Sequence, residues 1–173
     1  MADRALLING APASGKTTLA RRLCDELDLP LVTKDDIKEA LADVVPVPLP
    51  TSRVGAIASD AMWQLVGLID GTVIVESFWF SGRDSEYLRR GLDAAGIASG
   101  VELWCEASAE TARERYLTRP RHPAHDDAQR LDEWELFHRD AQPVSGFPVL
   151  RVDTEHPVDV ESTARRIRAL LTP

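Results

Sequence analysis

The segment Gly10-Ala11-Pro12-Ala13-Ser14-Gly15-Lys16-Thr17 constrains this chain more than any other. It fits the spacing G-x-x-x-x-G-K-[ST] in full, and Thr18 follows it. Its context is specific. Residues 5–9 (ALLIN) are a short apolar run ending at Gly10, the pattern of a buried strand. Residues 15–27 place Leu19, Ala20, Leu23, Cys24 and Leu27 at helical spacing. A strand, a tight loop and a helix in that order aim backbone N–H groups and the positive end of the helix at one point. Gly10 and Gly15 give the loop its conformational freedom. Lys16 is expected to neutralise the outer phosphates of a nucleoside triphosphate, and the Thr17 hydroxyl to ligate Mg²⁺.

The rest of the chain alternates strand and helix. Strands are expected at residues 30–33 (PLVT), 72–75 (TVIV), 101–105 (VELWC) and 148–152 (PVLRV). Helices are expected at 35–44, 52–70, 83–95, from a Ser108 cap to about 118, at 128–142 and at 158–171. In the 52–70 helix, Val54, Ile57, Ala58, Ala61, Met62, Leu65 and Leu68 are expected on the buried side. Pro46, Pro48 and Pro50 form a stiff extended loop. Five strands, each followed by helix, imply a parallel sheet covered on both faces: an α/β, three-layer α/β/α sandwich. The 173 residues are expected to form one domain, 1–173, with a short lid at about 119–127.

Composition narrows the partners. Asp and Glu outnumber Lys and Arg 28 to 20, a formal charge of −8. That sign disfavours a nucleic acid or an anionic membrane surface, because both reward clustered cations. No apolar run approaches the length of a bilayer span, and the N-terminal run is too short for a signal peptide. A cytoplasmic protein is expected, as monomer or homodimer. Cys24 and Cys105 lie in apolar periodic stretches and read as small core residues.

Several polar residues gather where a parallel sheet binds ligands, beyond the carboxyl ends of its strands. Asp35 and Asp36 follow the second strand; Asp35 reads either as the carboxylate that orients an attacking hydroxyl or as the N-cap of the next helix. Asp36 reads as a first-turn residue or a Mg²⁺ ligand through water. Glu76 ends TVIVE, where a carboxylate near Mg²⁺ belongs, or where a strand-end Glu bonds its neighbours. Phe78, Trp79 and Phe80 follow, and Trp79 and Phe80 are the candidates to line an acceptor pocket, with packing against helices the alternative. Arg53 and Arg83 are candidate substrate contacts. Residues 113–123 hold four arginines against one Glu, which suits phosphate or complements a helix end. His122 and His125 lack the partners of a zinc site and read as lid polarity. Trp134 and Phe137 are expected to pack the lid helix onto the body.

These landmarks together resemble the P-loop kinases, and among them small ATP-dependent phosphotransferases such as chloramphenicol phosphotransferase, the zeta toxins of the AAA type, and gluconate or shikimate kinases. The resemblance covers nearly the whole chain. It implies that Asp35 accepts the proton of the attacking hydroxyl, that Arg115 lies on the adenine side and Arg119 on the phosphate side with Arg121 its runner-up, and that Asp153 and Thr154 lie beside the adenine. It further implies ATP and Mg²⁺ as cofactors and a hydroxylated small molecule as acceptor: a metabolite or antibiotic, a nucleoside or nucleotide, or a sugar. The reading of another class is an NTP-binding regulatory module that hydrolyses slowly.

Overall fold

The computed structural model describes residues 2–45, 47–125 and 131–171. Five strands, β1 (Ala2–Asn9), β2 (Leu31–Thr33), β3 (Gly71–Glu76), β4 (Ser99–Glu106) and β5 (Val149–Asp153), form one sheet in the order β2-β3-β1-β4-β5. Every neighbouring pair is parallel. The helices are α1 (Lys16–Leu27), α2 (Lys34–Asp43), α3 (Thr51–Val66), α4 (Ser81–Ala95), α5 (Ala109–Thr118), α6 (Leu131–Asp140) and α7 (Val160–Leu171).

The period-2 geometry of β1 builds the three layers. Leu6 and Ile8 point to one face and pack with Leu19 and Leu23 of α1 and Ala164 and Ile167 of α7. Ala5 and Leu7 point to the other and pack with Met62 and Val66 of α3 and Leu88 and Leu92 of α4. A strand buried on both faces reads as a continuous apolar run, as ALLI does. The expected α/β/α sandwich is the fold observed.

Three expectations are corrected. Thr33, and not Asp35, caps α2: its hydroxyl accepts from the Asp36 N–H at 3.2 Å, which puts Asp35 inside the first turn. The buried stripe of α3 runs through Val54, Ala58, Met62, Trp63 and Val66, while Ile57 and Leu65 are exposed and Leu68 lies beyond the helix end. An alanine-rich helix offers two apolar faces, and the Trp63 ring decides between them by seating against Gly91 of α4. Trp79 does not line a pocket; it is 4% exposed and stacks on Trp63 with centroids 6.2 Å apart. Residues 128–130 of the expected sixth helix, and residues 126–127 of the expected lid, lie outside the described residues.

Candidate functional site

Parallel strands bring their carboxyl ends to one edge, so the segments leaving β1, β2 and β3 meet there. The loop after β1 is a strained, closed turn. Gly10 has φ +146°, and a Cβ there would come within 2.6 Å of the Cys105 carbonyl oxygen, so the site requires glycine. Gly15 has φ +85° and Ala13 φ +67°, left-handed conformations that curl the backbone around the loop's centre. The Ser14 N–H donates to the Ala11 carbonyl at 3.1 Å and closes the turn. Lys16 folds back over it: Nζ donates to the Ala11 carbonyl at 2.9 Å and lies 5.7 Å from the Phe78 ring centroid. Burial pushes the Lys16 ammonium below its ordinary pKa, opposed by Glu76, Cys105 and Asp35. Cys105 and Cys24 are free, and burial pushes the Cys105 thiol up to about 12, so it is chemically inert.

Two carboxylates face Lys16. Glu76, at the end of β3, is buried, and the Thr17 hydroxyl donates to its Oε2 at 3.3 Å. Burial raises the Glu76 pKa to about 7, against the attraction of Lys16. Asp35 is half-buried. Burial pushes its carboxyl up, but the Arg121 guanidinium at 2.9 Å, with Lys16, more than offsets that and holds it below the ordinary carboxylate range. Asp36 does not join them: more than half exposed, it faces Arg21 at 3.3 Å on the outside of α2. Thr17 and Glu76 are a hard-oxygen pair, the donor type Mg²⁺ takes, and among the described residues no cluster of three His, Cys, Asp or Glu could hold a metal unaided. A site of one or two protein oxygens completed by phosphates fits that ion.

On the opposite side of the loop, a cleft of about 200 Å³ is lined by Gly15, Thr18, Leu19, Arg115, Thr154 and Val158, among others. Its floor is tied down from both sides. The Thr154 hydroxyl lies 2.6 Å from the Ser14 carbonyl and 2.7 Å from that of Glu106. Arg115 donates to the carbonyls of Thr154 and Glu155 at 3.0 and 3.1 Å. Glu155 accepts from the Ser108 N–H and hydroxyl and from the Thr111 hydroxyl, and these bonds hold its carboxyl down at about 2. Asp153 turns away and accepts from the Glu155 N–H at 2.8 Å.

The aromatic run divides. Phe78 and Phe80 meet Phe137 of α6 at 5.1 and 5.0 Å between centroids, beside Lys16. Arg83 is held by both oxygens of Asp84 and lies over Phe137 at 5.1 Å; Arg53 is exposed on the first turn of α3. Arg119 lies over the Tyr116 ring at 5.3 Å, and its charge is felt at Lys16. Trp134 packs on Tyr116 and Ala13 and donates to the Pro12 carbonyl at 3.3 Å, so α6 rests directly on the loop.

Sequence reasoning missed one buried network. Asn9 accepts from the N–H groups of Gly10 and Trp79 and donates to the Glu102 carboxylate at 2.8 Å. Glu102, fully buried on β4, also accepts from the N–H groups of Val144 and Ser145. It fixes the entry of the loop to the chain that follows α6. The signal was a lone Glu inside the apolar strand VELWC, since a buried charge needs partners.

The sheet order, the loop and the carboxylates at its edge define a P-loop NTPase of the kinase type. The chain belongs to the AAA domain family, whose model matches residues 6–143. It is similar to the crystal structure of a candidate kinase from Chloroflexus aurantiacus, with 31% identity over 97% of this chain and 99% of that one, TM-score 0.83. A sugar kinase from Janibacter (18% identity, 97% and 95% covered, TM-score 0.61) and the tunicamycin resistance protein of Deinococcus radiodurans (19%, 98% and 96%, TM-score 0.62) share the fold. No match is found among curated sequences. No described helix is long and apolar enough to cross a membrane.

Proposed function

We propose that the protein transfers the γ-phosphate of ATP to a hydroxyl group of a small molecule, as a single kinase domain with a lid around residues 119–127. The observation that carries this reading is Asp35: an ionised carboxylate on the sheet edge beside Lys16, in the first turn of a helix capped by another residue. Asp35 orients the acceptor hydroxyl and takes its proton as the new oxygen–phosphorus bond forms and the bond to ADP breaks. Lys16 and Arg119 balance the charge of the transferring phosphate, and Gly10–Thr18 supply the loop that cradles the phosphates. Arg115 and Thr154 border the cleft assigned to the base. Thr17 and Glu76 would hold Mg²⁺, which supplies charge neutralisation at the β- and γ-phosphates when bound. Phe78, Phe80 and Phe137 give the acceptor an apolar wall. The sugar kinase and the tunicamycin resistance protein that share the fold make a sugar, a metabolite or an antibiotic the acceptors to try first.

The test is a screen of hydroxylated metabolites, sugars, nucleosides and antibiotics for ATP-dependent ADP release. One acceptor is expected to raise the rate well above background. A slow rate indifferent to every acceptor would instead indicate a regulatory module.

A further inference from the structure

Two histidines of the described lid residues, 119–125, face α2, and neither is used by the reaction above. Along one face of α2, Asp35, Glu39 and Asp43 are spaced four residues apart and so stand in a row. Side chains from residues 121–125 meet all three: Asp35 meets Arg121 at 2.9 Å, Glu39 meets His125 Nε2 at 2.9 Å and Arg121 Nη1 at 4.0 Å, and Asp43 meets His122 Nε2 at 3.0 Å. His125 is the interior member, with only 6% of its side chain exposed.

The partners of His125 settle its proton. Nδ1 lies 3.3 Å from Lys38 Nζ and 3.2 Å from Arg121 Nη2. Both are cationic groups that can only donate. Nδ1 is therefore the acceptor, and the ring proton sits on Nε2, where it donates to Glu39. His125 in this tautomer joins a carboxylate on one side to two cations on the other. Thr51 of α3 completes the enclosure: Lys38 donates to its hydroxyl at 2.7 Å, and that hydroxyl donates to the Ala124 carbonyl.

We propose that neutral His125 is a positioning residue: through Nδ1 it fixes Arg121 against Asp35 and so holds the lid closed over the candidate base. The functional meaning rests on the assignment of Asp35 above; the geometry does not. Protonation at Nδ1 would put a proton between the ring and two cations and release the lid. The charged groups facing the ring, among the described residues, are Asp35, Lys38 and Glu39 of α2 and Arg121 of the lid. Burial, with Arg121 and Lys38 and against Asp35 and Glu39, holds the imidazole below its ordinary value of 6.5. The closed lid is therefore fully present above that value and is lost as pH falls through it toward the lower value in the folded state.

Two measurements test this without nucleotide, so a failed acceptor screen and a failed latch are told apart. In ¹⁵N-edited imidazole spectra at pH 8, His125 is expected as the Nε2–H tautomer; an Nδ1–H tautomer overturns the proposal. Trypsin cleavage after Arg121 at pH 8 is the second. His125→Ala is expected to raise the nicking rate about tenfold, with an unchanged melting temperature as the control for folding. His125→Asn keeps an acceptor at the Nδ1 position and is expected to retain most of the protection. Equal rates in the wild type and His125→Ala, or equal loss in Ala and Asn, would overturn it.

Discussion

Glu76 is a carboxyl group placed where its charge is costly. It is 4% exposed, and burial raises its pKa to about 7 from an ordinary 4.5. For an acid raised on folding, the stabilisation is fully present below the unfolded pKa and is lost as pH rises through the folded one. The nucleotide-free protein is therefore expected to lose stability between pH 4.5 and about 7, by about 3 kcal/mol for a shift of this size. Glu76→Gln removes the charge and keeps the shape. It is expected to melt higher than the wild type at pH 8, with the difference closing toward pH 5, while its stabilisation by Mg²⁺ with ATP shrinks. A melting series over pH, with and without Mg²⁺·ATP, checks both halves; identical pH profiles for the two proteins would reassign the Glu76 titration. Asp35 has the opposite bias. Its carboxyl is held ionised by Arg121, so its charge costs nothing at neutral pH. Asp35→Asn is expected to keep stabilisation by ATP and to lower turnover with the identified acceptor by a factor of 100 or more, in the range of a lost general base. Undiminished turnover would remove Asp35 from the proton path. The loop, Asp35 and Glu76 were legible in the sequence because each stands where a strand ends, and strand ends are visible in apolar runs. For Asp36 the sequence offered two readings, and the first-turn one is observed; adjacent residues on a helix diverge, and the position of Arg21 shows that Asp36 is the one that turns outward. The partners of Glu102 were hidden: they are the Asn9 side-chain amide and two backbone N–H groups, all more than 40 residues away.

At the scale of elements, hydrophobic spacing predicted the strands and helices of the described residues, but only part of the face α3 buries: Val54, Ala58 and Met62 are in the core, and Ile57 and Leu65 are not. That choice lies in a contact between helices. A Cβ on Gly91 would stand 2.2 Å from the Trp63 ring, so α4 can approach α3 only with glycine at that point. The same ring stacks on Trp79, which holds the segment after β3 in the core and leaves Phe78 and Phe80 to turn toward the loop. Gly91→Ala sets two effects against each other. Alanine favours a helix interior by roughly 1 kcal/mol over glycine. Overpacking a closed core costs about 1–3 kcal/mol, and the obstructing atoms belong to a rigid indole already stacked on a second one. A net destabilisation of about 1–2 kcal/mol is expected from urea unfolding followed by tryptophan fluorescence. A stabilised variant would show that α4 can withdraw from α3 without cost.

Across the whole molecule, charge is sorted by depth. The formal charge is −8, yet the cations are not spread evenly: Lys16, Arg115, Arg119 and Arg121 surround or approach the loop. On the outer surface many arginines are matched to carboxylates, as in Arg89 with Glu86 and Asp93, Arg139 with Asp140, and Arg165 with Glu161. Such pairs contribute little to stability in water, but among the described residues they set a carboxylate beside each of these surface cations, which disfavours a polyanion there. The molecule should therefore discriminate phosphate ligands by size. Mg²⁺·ATP at a hundred times its Kd stabilises the folded chain by about 2.7 kcal/mol, which for a protein of this length raises Tm by roughly 5–10 °C. Inorganic tripolyphosphate with Mg²⁺ is expected to give part of that shift, since the loop recognises phosphates and the neighbouring cleft adds the base. Single-stranded RNA at equal phosphate concentration is expected to give none at 0.1 M salt. Lys16→Ala is expected to lose the response to both small ligands, with its own melting temperature without ligand as the control for folding, since the change also removes the cation that faces Glu76 and Asp35. A shift with RNA that survives Lys16→Ala would reveal an anion-binding surface away from the loop, and the inward sorting of charge would then be wrong.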